Sequence, residues 1–93
     1  MEILLVDDET TIQLTIGDRL RQAGHNVTVT GDGLTASKLI REQAFDVVLT
    51  DIRLPKIDGR TLLTKVLEAQ PETDVILMTA YANVGDAVEA LKE

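Results

Sequence analysis

Three acids in a row, Asp7, Asp8 and Glu9, close the apolar run "ILLV". A fourth, Asp51, closes a second run, "DVVLT", and a hydroxyl, that of Thr79, follows a third, "DVILM". Carboxylates are almost never buried without a partner, so acids at the ends of core segments need something to face. Two unit charges ~5 Å apart repel by about 3 kcal/mol at an effective dielectric near 20. Protonation of one acid, a lysine or a cation would relieve that. Several carboxylate oxygens with a loop carbonyl and water suit Mg2+, with Mn2+ or Ca2+ as alternatives. Soft-metal chemistry is excluded, because there is no cysteine. The single histidine, His25, falls at the amino-terminal end of a strand and reads as an ordinary loop residue. A carboxylate beside a divalent cation can act as a nucleophile toward phosphorus. A hydroxyl such as that of Thr79 could then donate to a phosphoryl oxygen.

For these groups to meet, the segments that carry them must lie side by side. Apolar runs alternate with segments of helical period along the whole chain. Residues 2–6, 26–30, 46–50 and 74–78 read as strands, the second alternating and half-exposed, the third and fourth buried. A first helix starts with Thr10 or Thr11 as cap and runs to about Ala23, with Ile12, Ile16 and Leu20 on one face and Gly24 as its stop. "GDG" at 31–33 is a turn, and a second helix covers about 34–43 with Ala36, Leu39 and Ile40 inward. Asp58 caps a third helix over 59–69 that packs through Leu62, Leu63, Val66 and Leu67, and Pro71 bars its continuation. A fourth helix, about 84–92, carries Val84, Val88 and Leu91 and is weakened by Gly85.

The order β-α-β-α-β-α-β-α implies an α/β fold: a parallel sheet with helices on both faces and right-handed crossovers. In such a sheet, function gathers outside the carboxyl ends of the strands. If strands one, three and four are neighbours, Asp7 and Asp8 face Asp51 across one crevice and Thr79 closes its side.

Composition narrows the possibilities further. At 93 residues, 44% hydrophobic and 27% charged, the chain is one small ordinary globular domain. With one Phe, one Tyr and no Trp, its core is aliphatic. Nine basic residues against sixteen acidic give a net charge of −7. The basic residues are scattered, so direct nucleic-acid binding by these residues is not expected. No apolar run approaches the ~18–20 residues of a membrane span, and no signal peptide opens the chain. The absence of cysteine is compatible with a reducing, cytoplasmic location.

Taken together, "LLVDDE" (4–9), "DVVLTDIRLPKIDG" (46–59) and "VILMTAYANVGDAVEALKE" (75–93) resemble the receiver domain of two-component response regulators. The resemblance runs in register over residues 1–93, and "DIRLP…DG" with "MTAY" looks most like receivers attached to σ54-type transcription activators. It implies a flavodoxin-like, doubly wound sheet with strand order 2-1-3-4. It makes Asp51 the phosphoacceptor for a histidine kinase's phosphohistidine and Thr79 the switch hydroxyl. Asp8 would bind Mg2+ directly, Asp7 directly or through water, and the Arg53 backbone carbonyl would add a ligand. Pro55 and Gly59 would shape the loop after the acceptor, and Arg53 and Tyr81 would tune its lifetime. The domain is then a signalling module rather than an enzyme, although its family promotes its own aspartyl phosphorylation and dephosphorylation. Its partners would be a kinase and an output domain, or a second copy through the helix 4 side, in transcription regulation. One departure stands out: family members continue into a fifth strand bearing a Lys and a fifth helix, and Lys65 and Lys92 cannot take that Lys's place. The expectation is therefore a receiver truncated after helix 4, with "DVILM" as an open edge prone to pairing.

Plainer readings exist for each residue. Asp7 or Asp8 could simply cap helix one, though two acids plus Glu9 exceed what a cap needs. Asp51 alone could form a turn, and Thr79 could merely end a strand. Arg53 and Lys56 could be solvated loop charges, and Tyr81 an exposed loop aromatic. The Val84, Val88 and Leu91 stripe is core first and interface second. The competing function is a non-signalling fragment that serves as a binding or dimerisation module. An aspartyl phosphatase would want Asp-x-Asp after strand one, and a flavin carrier would not place three acids where a phosphate sits.

Overall fold

Each of the four described strands is five residues long, and a helix follows each of the first three. The computed structural model describes residues 1–54 and 56–78. Its elements are β1 (Glu2–Val6), α1 (Thr10–Gln22), β2 (Asn26–Thr30), α2 (Gly33–Glu42), β3 (Val47–Asp51), α3 (Gly59–Ala69) and β4 (Asp74–Met78). All pairings are parallel and the order across the sheet is β2-β1-β3-β4, as expected. The fourth helix expected over about 84–92, and with it the helix 4 side as a docking face, lies outside the described residues.

Alternation sorts each strand's side chains to two faces. Leu4, Val6, Val48, Val75 and Leu77 point to one side and pack with Ala36 and Ile40 of α2 and with Leu62, Leu63 and Val66 of α3. Phe45 fills the lower end of this core. On the other side α1 lies across β1 and β2. At Gly17 it comes so close that an added Cβ would touch Val29 Cγ2 at 3.8 Å and Leu5 Cδ2 at 3.9 Å.

Register puts Val29, Leu5, Leu49 and Ile76 in one row across the α1 face. Burial falls along that row: Leu5 is fully buried, Leu49 half-buried and Ile76 46% exposed. This corrects the expectation that β3 is buried on both faces and that β4 is a buried strand. Their β-branched composition suits a central strand, but α1 covers β1 and β2 and does not reach this far. Ile12, Ile16 and Leu20 are half-buried for the same reason. Leu67, expected in the core, is 37% exposed because it lies off the α3 stripe of Leu62, Leu63 and Val66.

The helix ends differ from the expected pattern in two places. Neither Thr10 nor Thr11 caps α1: Glu9 holds the cap position and makes no side-chain cap bond. The α2 helix begins one residue inside the "GDG" turn, with Asp32 accepting from the Thr35 amide at 2.7 Å. Asp58 caps α3 as expected, accepting from the Thr61 amide at 2.8 Å. Gly24 takes φ 93°, the left-handed turn that stops α1. Below the sheet, Gln70 ties the ends of two helices: its Nε2 donates to the carbonyls of Ile40 (2.5 Å) and Gln43 (2.7 Å), and its Oε1 accepts from the Phe45 amide (2.9 Å). His25 also sits at this end, its Nδ1 3.0 Å from the chain's amino terminus, far from the acids. Among the described residues, no helix is long and apolar enough to cross a membrane.

Candidate metal and phosphoacceptor site

The carboxyl ends of β1 and β3 are adjacent, because the two strands pair from Ile3–Val47 to Val6–Thr50. The next residues on the two strands are Asp7 and Asp51. With Asp8 they form a cluster in which one carboxylate oxygen from each residue lies within 4.8 Å of the others. This convergence was expected from the strand ends alone.

Asp7 is 4% exposed and is fixed from several directions. Its backbone N–H donates to the Thr30 carbonyl at 3.0 Å, so the end of β2 sets its position. Its Oδ1 accepts from the Glu9 amide at 2.8 Å, and this bond does for the start of α1 what a threonine cap was expected to do. Burial raises the Asp7 pKa above the ordinary carboxylate value. The Glu9 amide opposes that rise, and the charges on Asp51 and Asp8 add to it. A carboxyl in this position favours either a proton or a cation.

Asp8 is exposed and Asp51 half-buried. Asp51 closes β3, opposite Met78 of β4. Its Oδ1 accepts from the Arg53 amide at 3.1 Å, and its carbonyl accepts from the Thr50 hydroxyl at 3.0 Å. The loop that follows is gripped by two glycines. A Cβ at Gly59 would stand 2.4 Å from the Asp51 carbonyl oxygen, and one at Gly33 would stand 2.4 Å from the Ile57 carbonyl oxygen. The Gly59 amide also donates to the Ile52 carbonyl at 2.8 Å. Both positions are required for space, since neither has positive φ.

The donor set is all oxygen, which fits a hard divalent cation and no soft one. Three acids at this spacing also fit the cation's charge, since each would otherwise repel the other two. Arg53 is placed next to Asp51 by its amide. Thr79, Pro55, Tyr81 and Lys92 lie outside the described residues. Sequence reasoning overlooked Asp32, Gly33 and Gln13. Asp32 and Gly33 were hidden in a turn read as featureless. Gln13 donates through Nε2 to the Asp7 carbonyl at 2.5 Å, and nothing in its local sequence marks it.

Residues 3–93 match the response regulator receiver domain family. Transcriptional regulatory protein ZraR of Escherichia coli is 40% identical over 92 residues, which cover 99% of this chain and 21% of ZraR. The chain thus spans about a fifth of the length of the curated relatives it matches. Among solved structures, the receiver domain of a Pseudomonas aeruginosa sensor histidine kinase, with magnesium coordinated in its active-site cleft, superposes with a TM-score of 0.86. It is 34% identical, over 96% of this chain and 77% of that one. A response regulator from Burkholderia pseudomallei, bearing a phosphorylated aspartic acid and a calcium ion, superposes with a TM-score of 0.87. It is 26% identical, over 98% of this chain and 54% of that one. Sequence, topology and the acidic cluster agree, and the chain belongs to the receiver domains of two-component response regulators.

Proposed function

We propose that this chain accepts a phosphoryl group on Asp51 from the phosphohistidine of a kinase and passes the change of state to an output domain. The observation that carries the reading is the approach of Asp7, Asp8 and Asp51 to within 4.8 Å of one another on two neighbouring strand ends. The related receiver with magnesium in its cleft and the related regulator with phosphorylated aspartate support it by analogy.

Asp7, Asp8, Asp51 and the Arg53 carbonyl would hold Mg2+. When bound, the ion supplies positive charge that offsets the carboxylates and the oxygens of an incoming phosphoryl group. The remaining work falls to the chain. The Arg53 amide holds Asp51 Oδ1, which orients the carboxylate and leaves its other oxygen to attack. An oxygen–phosphorus bond forms to Asp51 while the phosphorus–nitrogen bond to the donor ring breaks, and the ring, already protonated on its other nitrogen, leaves as neutral imidazole. The Thr79 hydroxyl would donate to a phosphoryl oxygen and carry the change to residues beyond β4.

The test is labelling with a small acyl or amido phosphate, read by intact mass. The expected result is one added phosphoryl group, dependent on Mg2+ and absent from Asp51→Asn. Labelling that survives Asp51→Asn would refute the assignment. A folded protein that binds Mg2+ yet takes no label would favour the binding-module reading.

A further inference from the structure

Asp8 is exposed and accepts no hydrogen bond among the described residues, yet it belongs to the cluster. Its direction must therefore come from its backbone. The peptide that enters Asp8 has the Asp7 carbonyl as its oxygen, and Gln13 Nε2 donates to that oxygen at 2.5 Å from the first turn of α1. Gly31, at the end of β2, backs this contact. A Cβ there would lie 3.5 Å from Gln13 Nε2, 3.8 Å from the Asp7 carbonyl oxygen and 3.9 Å from Asp8 Cα. The amide of Gln13 thus sits between the peptide it holds and the turn beneath it. The Asp7 side chain is held separately, through Glu9. Gln13 is the one side chain among the described residues that restrains the 7–8 peptide by hydrogen bonding to its carbonyl.

We propose that Gln13 is a positioning residue for the acidic cluster: by holding the Asp7–Asp8 peptide it sets the angle at which the two carboxylates meet a divalent cation. The inference rests on the metal-binding reading above. Outer partners that orient ligands typically account for 10–100-fold in metal affinity. Mg2+ demands near-ideal octahedral geometry, whereas Ca2+ accepts a flexible ligand set. A residue that sets angle should therefore matter more for Mg2+ than for Ca2+.

The experiment is titration of the protein with Mg2+ and separately with Ca2+, followed by amide chemical shifts of residues 7, 8 and 51. The variants are Gln13→Met, which keeps length without the donor, and Gln13→Asn, which keeps the amide but falls short of the carbonyl. Both are expected to bind Mg2+ about tenfold more weakly and Ca2+ within about twofold of the parent. Unchanged Mg2+ affinity in both variants overturns the proposal. So does an equal loss for the two ions, which would mean a general loosening of the fold. If the parent binds neither ion, the metal-binding reading itself fails, and that result is distinct from any behaviour of the variants.

Discussion

Asp7 is the residue at which folding and binding oppose each other most directly. It is buried beside two other acids, and its pKa is raised chiefly by that burial. The native state therefore holds its proton to higher pH than the unfolded chain does. Where the folded protein binds more protons, stability falls as pH rises. In the metal-free protein, Asp7 thus costs stability above its raised value, and acidification through that value relieves the cost. Asp32 has the opposite sign. The Thr35 amide lowers its pKa, so its contribution is present above the ordinary value and is lost as pH falls through the lowered one. Asp7→Asn keeps an acceptor for the Glu9 amide and removes the charge. It should raise metal-free stability near neutrality by about 1 kcal/mol, or about 4–8 °C in thermal midpoint. The gain should fade as pH falls through the raised Asp7 value and be gone by about pH 4, where free aspartate itself protonates. Thermal melts across pH read this. In the parent, Mg2+ at a hundred times its dissociation constant should add about 2.7 kcal/mol, and Asp7→Asn should lose most of that gain.

The elements set the site through two close approaches. Gly59 opens α3 against the Asp51 carbonyl, and Gly33 opens α2 against Ile57. Gly59→Ala should cost about 1–3 kcal/mol, the range for overpacking a filled site. It should also weaken phosphoryl labelling, because the atom it displaces belongs to Asp51, the proposed acceptor. Gly33→Ala should destabilise comparably and shift the amide resonances of residues 52–54 and 56–58 more than those of 7 and 8. Asp58→Ala, which only removes a cap, should cost about 1 kcal/mol and leave labelling intact; urea unfolding beside the labelling assay separates the three. The bounds of α3 were legible because Asp58 and Pro71 mark its two ends, although Leu67 was misread as part of its buried stripe. The start of α1 was legible only in part: Thr10 and Thr11 read as its cap, while the plainer reading of Asp7 as a residue that caps this helix agrees with its bond from the Glu9 amide. The Asp32 cap was masked by flanking glycines that read as a turn. The parallel α/β sheet followed from alternation, and the strand order from the resemblance to receiver domains; given those neighbours, the meeting of Asp7, Asp8 and Asp51 followed from where each run ends. Gln13 could not be read, because its partner is a backbone atom and leaves no side-chain pattern.

Among the described residues the two faces of the sheet are unequal. One is filled by α2 and α3, while on the other burial declines from Leu5 to Ile76. Which strand is covered depends on where a helix lies over it, and an apolar run such as "DVILM" carries no record of that. The inequality has a measurable form. Leu62→Ala empties a fully buried site between α3 and the sheet and should cost 2–5 kcal/mol, within the ~2–5 range for such deletions. Ile76→Ala, at a residue already 46% exposed, should cost less than about 1 kcal/mol. Equal losses on chemical denaturation would contradict this division.

The Asp7 and Asp51 carboxylates reach each other only through the pairing of β1 with β3, segments separated by a helix, a strand and a second helix. An ion gripping both would behave as a reversible cross-link over that long stretch. It could form only after the intervening chain had been laid down, late on the route to the native state. Adding magnesium in stopped-flow experiments should therefore leave the refolding limb nearly flat and slow the unfolding limb, since the ion stabilises contacts absent from the barrier.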